Sequence, residues 1–125
     1  MAEVKKLLMI DDDKDLLAML KLKLEKTGNY NVVTSTDGSK AVELACDTAP
    51  DLIVLDIDMP DMDGGAVANS LSESEDTRNI PILFLSSLVP KEQVAESGGI
   101  VGGRNMASKK GGVQELIDRI DSMIK

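Results

Sequence analysis

The stretch DLIVLDIDMPDMDG, Asp51–Gly64, joins a strand-forming run to four aspartates in nine positions, Asp56, Asp58, Asp61 and Asp63. Consecutive apolar letters over Leu52–Leu55 suit a strand covered on both faces of a parallel sheet. Carboxylates crowded at the end of such a strand raise one another's pKa and need a counter-charge. What neutralises Asp56 therefore decides both the fold and the chemistry.

Working outward, four more segments read as strands: Val4–Ile10, Asn31–Ser35, Ile80–Ser86 and, more weakly, Arg104–Lys109. Helical patterns lie between them. The first can be capped by Asp13, places Leu16, Leu20 and Leu24 on one face and stops at Gly28. The second carries Ala41, Leu44, Ala45 and Thr48 and ends before Pro50. A third follows Asp63 and a fourth starts at Pro90, while the last aligns Val113, Leu116, Ile117, Ile120 and Ile124. Five strands alternating with five helices predict a doubly wound α/β domain with helices on both faces of a parallel sheet. The glycine-rich stretch SGGIVGGRN fits neither a dinucleotide nor a P-loop register, and reads as a flexible connection or a shortened fourth helix.

Composition excludes several function classes. A length of 125 residues with 42% apolar content supports one domain with a single core. A net charge of -8, with Tyr30 and Phe84 as the only aromatic rings, disfavours nucleic acid as a direct ligand. The chain has no histidine, which removes Ser-His-Asp and Cys-His catalysis, imidazole-based zinc sites and a phosphohistidine carrier role. The single Cys46 cannot form an internal disulfide and is expected as a small buried residue. The apolar run before Asp11 is too short for a signal sequence or a membrane span, so a cytoplasmic location without membrane contact is expected.

In an open parallel sheet, ligands bind beyond the carboxyl ends of the strands. Asp11 and Asp12 end the first strand, Asp56 the third, Ser86 and Ser87 the fourth and Lys109 the fifth, so the polar candidates share one rim. Asp13, Asp61 and Asp63 read as helix-cap or turn residues. Asp11, Asp12 and Asp56 together would repel, and a divalent cation resolves the conflict; carboxylates with a phosphate oxygen are the usual surroundings of Mg²⁺. An EF-hand ending in DMDG would need Met59 and Ser70 as ligands and is rejected. A Mg²⁺-dependent aspartyl phosphatase using Asp56 and Asp58 remains an alternative, although Met59 follows where such enzymes usually carry Thr or Val.

These segments resemble the receiver domain of two-component response regulators over essentially the whole chain. LLMIDDDKDL is similar to the family's first strand with its acid pair, and DLIVLDIDMPDMDG to its phosphorylation segment, with the acceptor at Asp56, Pro60 following and a turn glycine at Gly64. ILFLSS supplies the hydroxyl residue Ser86 and its small neighbour Ser87, and MASKK supplies the lysine. Counting back from QELIDRI places Lys109 in the catalytic position and leaves Lys110 as a solvated charge.

The resemblance implies a flavodoxin-like sheet of strand order 2-1-3-4-5, and phosphoryl transfer to Asp56 from a sensor histidine kinase or phosphotransfer protein. It implies Mg²⁺ held by Asp11, Asp12, Asp56 and the backbone of Asp58, with Lys109 and Ser86 contacting the phosphoryl group and the last two helices forming a switched protein-binding face. Residues 1–125 are then a stand-alone receiver, like the chemotaxis regulators, without an output domain or an enzymatic activity beyond its own phosphorylation and dephosphorylation. A phosphate sink and a degenerate receiver acting as a constitutive interaction domain are alternatives.

Several positions depart from the family pattern or bear on phosphoryl lifetime. Met106 stands where many receivers have an aromatic switch residue, and Lys110 replaces a proline, which predicts a trans bond with a rearranged loop or visible strain. Asp58 and Leu88 flank the expected approach of a hydrolytic water, with Leu88 able to exclude it.

Overall fold

The computed structural model describes residues 4–58, 63–96, 98–101 and 104–124. Met59, Pro60 and Asp61 of the aspartate-rich turn lie outside the described residues. The elements alternate along the chain: β1 Lys5–Ile10, α1 Lys14–Lys26, β2 Tyr30–Ser35, α2 Ala41–Thr48, β3 Leu52–Asp56, α3 Gly64–Glu73, β4 Ile82–Ser86, α4 Lys91–Glu96, β5 Ile100–Val101, β6 Arg104–Ser108 and α5 Val113–Ile124.

The sheet order is β2-β1-β3-β4-β6-β5. All pairings are parallel except β5 with β6. The expected 2-1-3-4-5 arrangement is present, with β6 in the fifth place, and a sixth strand is added at its edge. That strand comes from the glycine-rich stretch. Gly98 and Gly99 adopt φ of 71° and 87°, a left-handed backbone that glycine takes without steric cost, and carry the chain from α4 into β5, where Val101 pairs with Arg104. The helix before it, α4, is indeed short, at six residues.

Alternation along each strand divides the core in two. Leu7, Met9, Val54, Leu83 and Leu85 face α1 and α5, meeting Leu17, Leu20, Leu24, Leu116 and Ile120. Leu8, Ile10, Ile53, Leu55, Phe84 and Met106 face the other way, onto Ala41, Ala45, Val67 and Leu71. β3 is buried at every position, as its uninterrupted apolar letters predict. Two details differ from expectation. Helix α1 buries Leu17 with Leu20 and Leu24 while Leu16 is half-buried, a rotation that either leucine would permit and that packing against the sheet decides. Cys46 is exposed: α2 turns Ala41 and Ala45 inward, and the next position, about 100° further round, faces solvent.

The caps hold the strand-to-helix turns in place. Asp13 accepts a hydrogen bond from the Leu16 amide at 3.1 Å, and Asp63 accepts one from the Gly65 amide at 2.8 Å, as cap residues should. Gly64 is required for a different reason. A Cβ built there would lie 2.6 Å from the Ile57 Cα, so the start of α3 packs directly on the backbone beyond Asp56. No helix among the described residues is long and apolar enough to cross a membrane.

Candidate functional site

Three strand ends converge at the carboxyl edge of the sheet. β1 delivers Asp11 and Asp12, β3 delivers Asp56, and β6 leads directly into Lys109. Asp11 and Asp56 are each 1% exposed, whereas Asp12 faces solvent. Lys109 reaches between the two buried carboxylates, its Nζ 2.7 Å from Asp11 Oδ2 and 3.0 Å from Asp56 Oδ2. The backbone holds the other oxygens: the Asp13 amide donates to Asp11 Oδ1 at 2.9 Å and the Asp58 amide to Asp56 Oδ1 at 2.8 Å.

Each ionisation follows from this placement. Burial is the largest influence on Asp11 and pushes its carboxyl from 3.8 up to about 6, with the charge of Asp56 adding to the rise and Lys109 and the Asp13 amide opposing it. Burial works against the charge on Lys109 as well, but its bonds to Asp11 and Asp56 outweigh that and hold the ammonium above its ordinary value.

The carboxylates of Asp11, Asp12 and Asp56 offer oxygen atoms within 4.8 Å of one another. Hard oxygen donors in such a cluster, one solvent-facing and two buried, fit a divalent cation of the Mg²⁺ type better than a soft metal.

Ser86 ends β4 and is buried, but its hydroxyl is turned to Asp58. It donates to Asp58 Oδ2 at 2.9 Å, and the Ser87 amide donates to the same oxygen at 2.7 Å. Ser86 Oγ in turn accepts from the Leu88 and Val89 amides at 3.1 and 3.3 Å. The Asp58 side chain therefore has a structural partner that the sequence reading did not anticipate. The available signal was a carboxylate two residues beyond one strand end facing paired serines at the next. Leu88, which could exclude a hydrolytic water, is 76% exposed.

Ser108 also escaped the sequence reading. Its hydroxyl donates to the Val89 carbonyl at 2.6 Å and accepts from the Lys110 amide at 3.2 Å, capping a single 3-10 turn over Lys109–Gly111. The described residues contain no cis peptide bond, so the loop after Lys109 is built around a trans bond, with Lys110 exposed and Gly112 at φ 89°. Met106 is buried beside Phe84, whose ring carries the Arg104 guanidinium at 5.0 Å from its centroid.

Residues 7–121 match the response regulator receiver domain. The chain belongs to this family. It is 32% identical over 120 residues to the DNA-binding dual master transcriptional regulator RpaA of Synechocystis, covering 96% of this chain and 49% of that protein. A second relative is the transcriptional regulatory protein PrrA of Mycobacterium tuberculosis, also 32% identical over 120 residues, covering 96% of this chain and 50% of that one. The chain thus spans about half the length of these curated relatives. The receiver domain of the Francisella response regulator 1452 superposes with a TM-score of 0.75 at 30% identity, covering 96% of both chains. The Vibrio cholerae chemotaxis protein CheY4 gives a TM-score of 0.79 at 26% identity, covering 97% of this chain and 99% of that one. Receiver domains are signalling domains of two-component systems rather than conventional enzymes.

Proposed function

We propose that residues 1–125 form one receiver domain that takes a phosphoryl group on Asp56 from a histidine of a cytoplasmic sensor kinase or phosphotransfer protein, and that this changes a protein-binding face. The observation that carries the reading is the buried Asp56 carboxylate bracketed by Lys109 on one oxygen and the Asp58 amide on the other. Those bonds fix the orientation of the nucleophile before any donor arrives, which is the main contribution a protein makes to phosphoryl transfer.

An Asp56 oxygen attacks phosphorus as the phosphorus–nitrogen bond to the donor imidazole breaks, and the electron pair of that bond remains on the ring. Lys109 neutralises charge on the acceptor side, and Ser86 donates its hydroxyl to a phosphoryl oxygen in the product. Asp11, Asp12, Asp56 and the Asp58 backbone carbonyl would hold Mg²⁺, which would supply charge neutralisation at the phosphoryl oxygens. The responsive surface is α4, β6 and α5, because the loop after Ser86 leads into α4 and Ser108 ties that loop to β6. A net charge of -8 favours a protein partner over nucleic acid for this segment.

Incubation with a small-molecule phosphodonor and Mg²⁺ should add one phosphoryl group by intact-mass spectrometry, and Asp56→Asn should abolish the adduct. Retention of the adduct in that variant would sink the assignment.

A further inference from the structure

The hydroxyl that must reach the phosphoryl group is already engaged. Ser86 carries a single hydroxyl proton, and that proton points to Asp58 Oδ2 at 2.9 Å. The same carboxylate oxygen accepts from the Ser87 amide at 2.7 Å and lies 3.4 Å from Ser87 Oγ, so it gathers the end of β4 and the first residue of the following loop onto one atom. The lone pairs of Ser86 Oγ meanwhile receive the Leu88 and Val89 amides. The Val89 carbonyl, in turn, accepts from Ser108, the neighbour of Lys109.

We propose that the Asp58 carboxylate is a latch that holds Ser86 and residues 87–89 in the resting arrangement, and that the phosphoryl group on Asp56 acts by taking the Ser86 proton from it. Asp58 is in this sense a positioning residue, acting on the reaction through Ser86. The inference rests on Asp56 being the acceptor. One proton cannot serve both oxygens, so the two arrangements exclude each other, as a two-state element requires. The phosphoryl group favours release twice over. It is a stronger charged acceptor for the hydroxyl, and it places negative charge near a carboxylate whose own amide bonds to Asp56. Asp58 is half-buried rather than buried, so water can take up its freed oxygen. Release moves the acceptor of the Leu88 and Val89 amides, and thereby the start of α4.

The test follows the amide resonances of Ser87, Leu88 and Val89 by NMR, with beryllofluoride plus Mg²⁺ as the phosphoryl probe. In the unmodified chain, Asp58→Ala should move these amides toward their positions in beryllofluoride-saturated wild type. It should also tighten beryllofluoride binding by about tenfold, the equilibrium equivalent of one charge-assisted hydrogen bond. Asp58→Asn keeps an oxygen that accepts the same hydrogens, so its amides should stay near wild type although the charge is gone. The tightening should largely vanish when Asp58→Ala is made in a Ser86→Ala background. Amides unmoved by Asp58→Ala, or an equal gain in the Ser86→Ala background, overturn the latch and leave only charge repulsion. A wild-type chain that fails to take beryllofluoride overturns the acceptor assignment, while the amide positions without the probe still report on the latch.

Discussion

The centre of the sheet and its β4–β6–β5 edge are built on different terms. Around Asp56 the strands are uninterrupted, every residue of β3 is buried, and two carboxylates share one lysine. Toward the other edge, α4 has six residues, β5 has two, and the turn between them depends on glycines at positive φ. Under the proposed function, the groups to be aligned for chemistry sit on the most constrained backbone, and the surface proposed to change sits where few contacts resist it.

Mutations that load each side should separate the two. Leu55→Ala, next to Asp56 on β3, should cost about 2–5 kcal/mol in urea unfolding, because a fully packed leucine leaves a cavity. Val101→Ala at the edge should cost less than about 1 kcal/mol, since this valine is only half-buried. Comparable losses at both positions would erase the contrast.

Lys109→Ala comes next, at about 1–3 kcal/mol at pH 7.5. That lies below the usual cost of breaking a buried pair because the lysine is 19% exposed and Asp11 can take up a proton. The pH dependence has a definite sign. Asp11 titrates near 6 in the folded chain against 3.8 ordinarily, so the folded state is the better proton acceptor and loses stability as pH rises from about 4 through about 6. Lys109 has a raised pKa, so its stabilisation is present below its ordinary value of 10.5 and is lost only as pH climbs past it. Without Lys109 the burden of ionising Asp11 grows, and the variant should lose more at pH 7.5 than at pH 5. Equal losses would mean the lysine contributes through packing alone.

The smallest effect concerns the edge itself. One terminal nitrogen of Arg119 donates to the Gly99 carbonyl at 3.1 Å and to Asn105 Oδ1 at 2.9 Å, while its buried Nε has no hydrogen-bond partner among the described residues. Arg119→Ala should therefore cost only about 0.5–1 kcal/mol, part of the lost bonding being offset by removal of that unpaired group. Amide exchange at Met106, whose N–H also bonds to Gly99, should accelerate while exchange at Leu8 stays slow. Equal acceleration at both would show that edge and centre open together.

The same divide governs how much the letters alone could convey. The strands of the centre announce themselves through unbroken apolar runs ending in charged residues, and the rim holding Asp11, Asp12, Asp56, Ser86 and Lys109 follows from counting strand ends. The β5–β6 pair carries no periodicity. Its first strand is reached from α4 through two glycine torsions, and Arg119, fourteen residues beyond Asn105, ties Gly99 to Asn105. The choice between Leu16 and Leu17, and the outward turn of Cys46, depend on helix rotations that only packing sets. Asp58 reads as one acid among several because its partners, Ser86 and Ser87, lie on the neighbouring strand's end, 28 and 29 positions away.

The lysine shared by Asp11 and Asp56 also bears on how the chain comes to be folded. Two buried carboxylates meeting without a cation would oppose the closing of β1 onto β3, whereas Lys109 arrives with the last strand of the sheet and is covalently part of the molecule. The domain thereby carries its own counterion. Closing β1 onto β3 therefore needs no metal ion as counter-charge for Asp11 and Asp56.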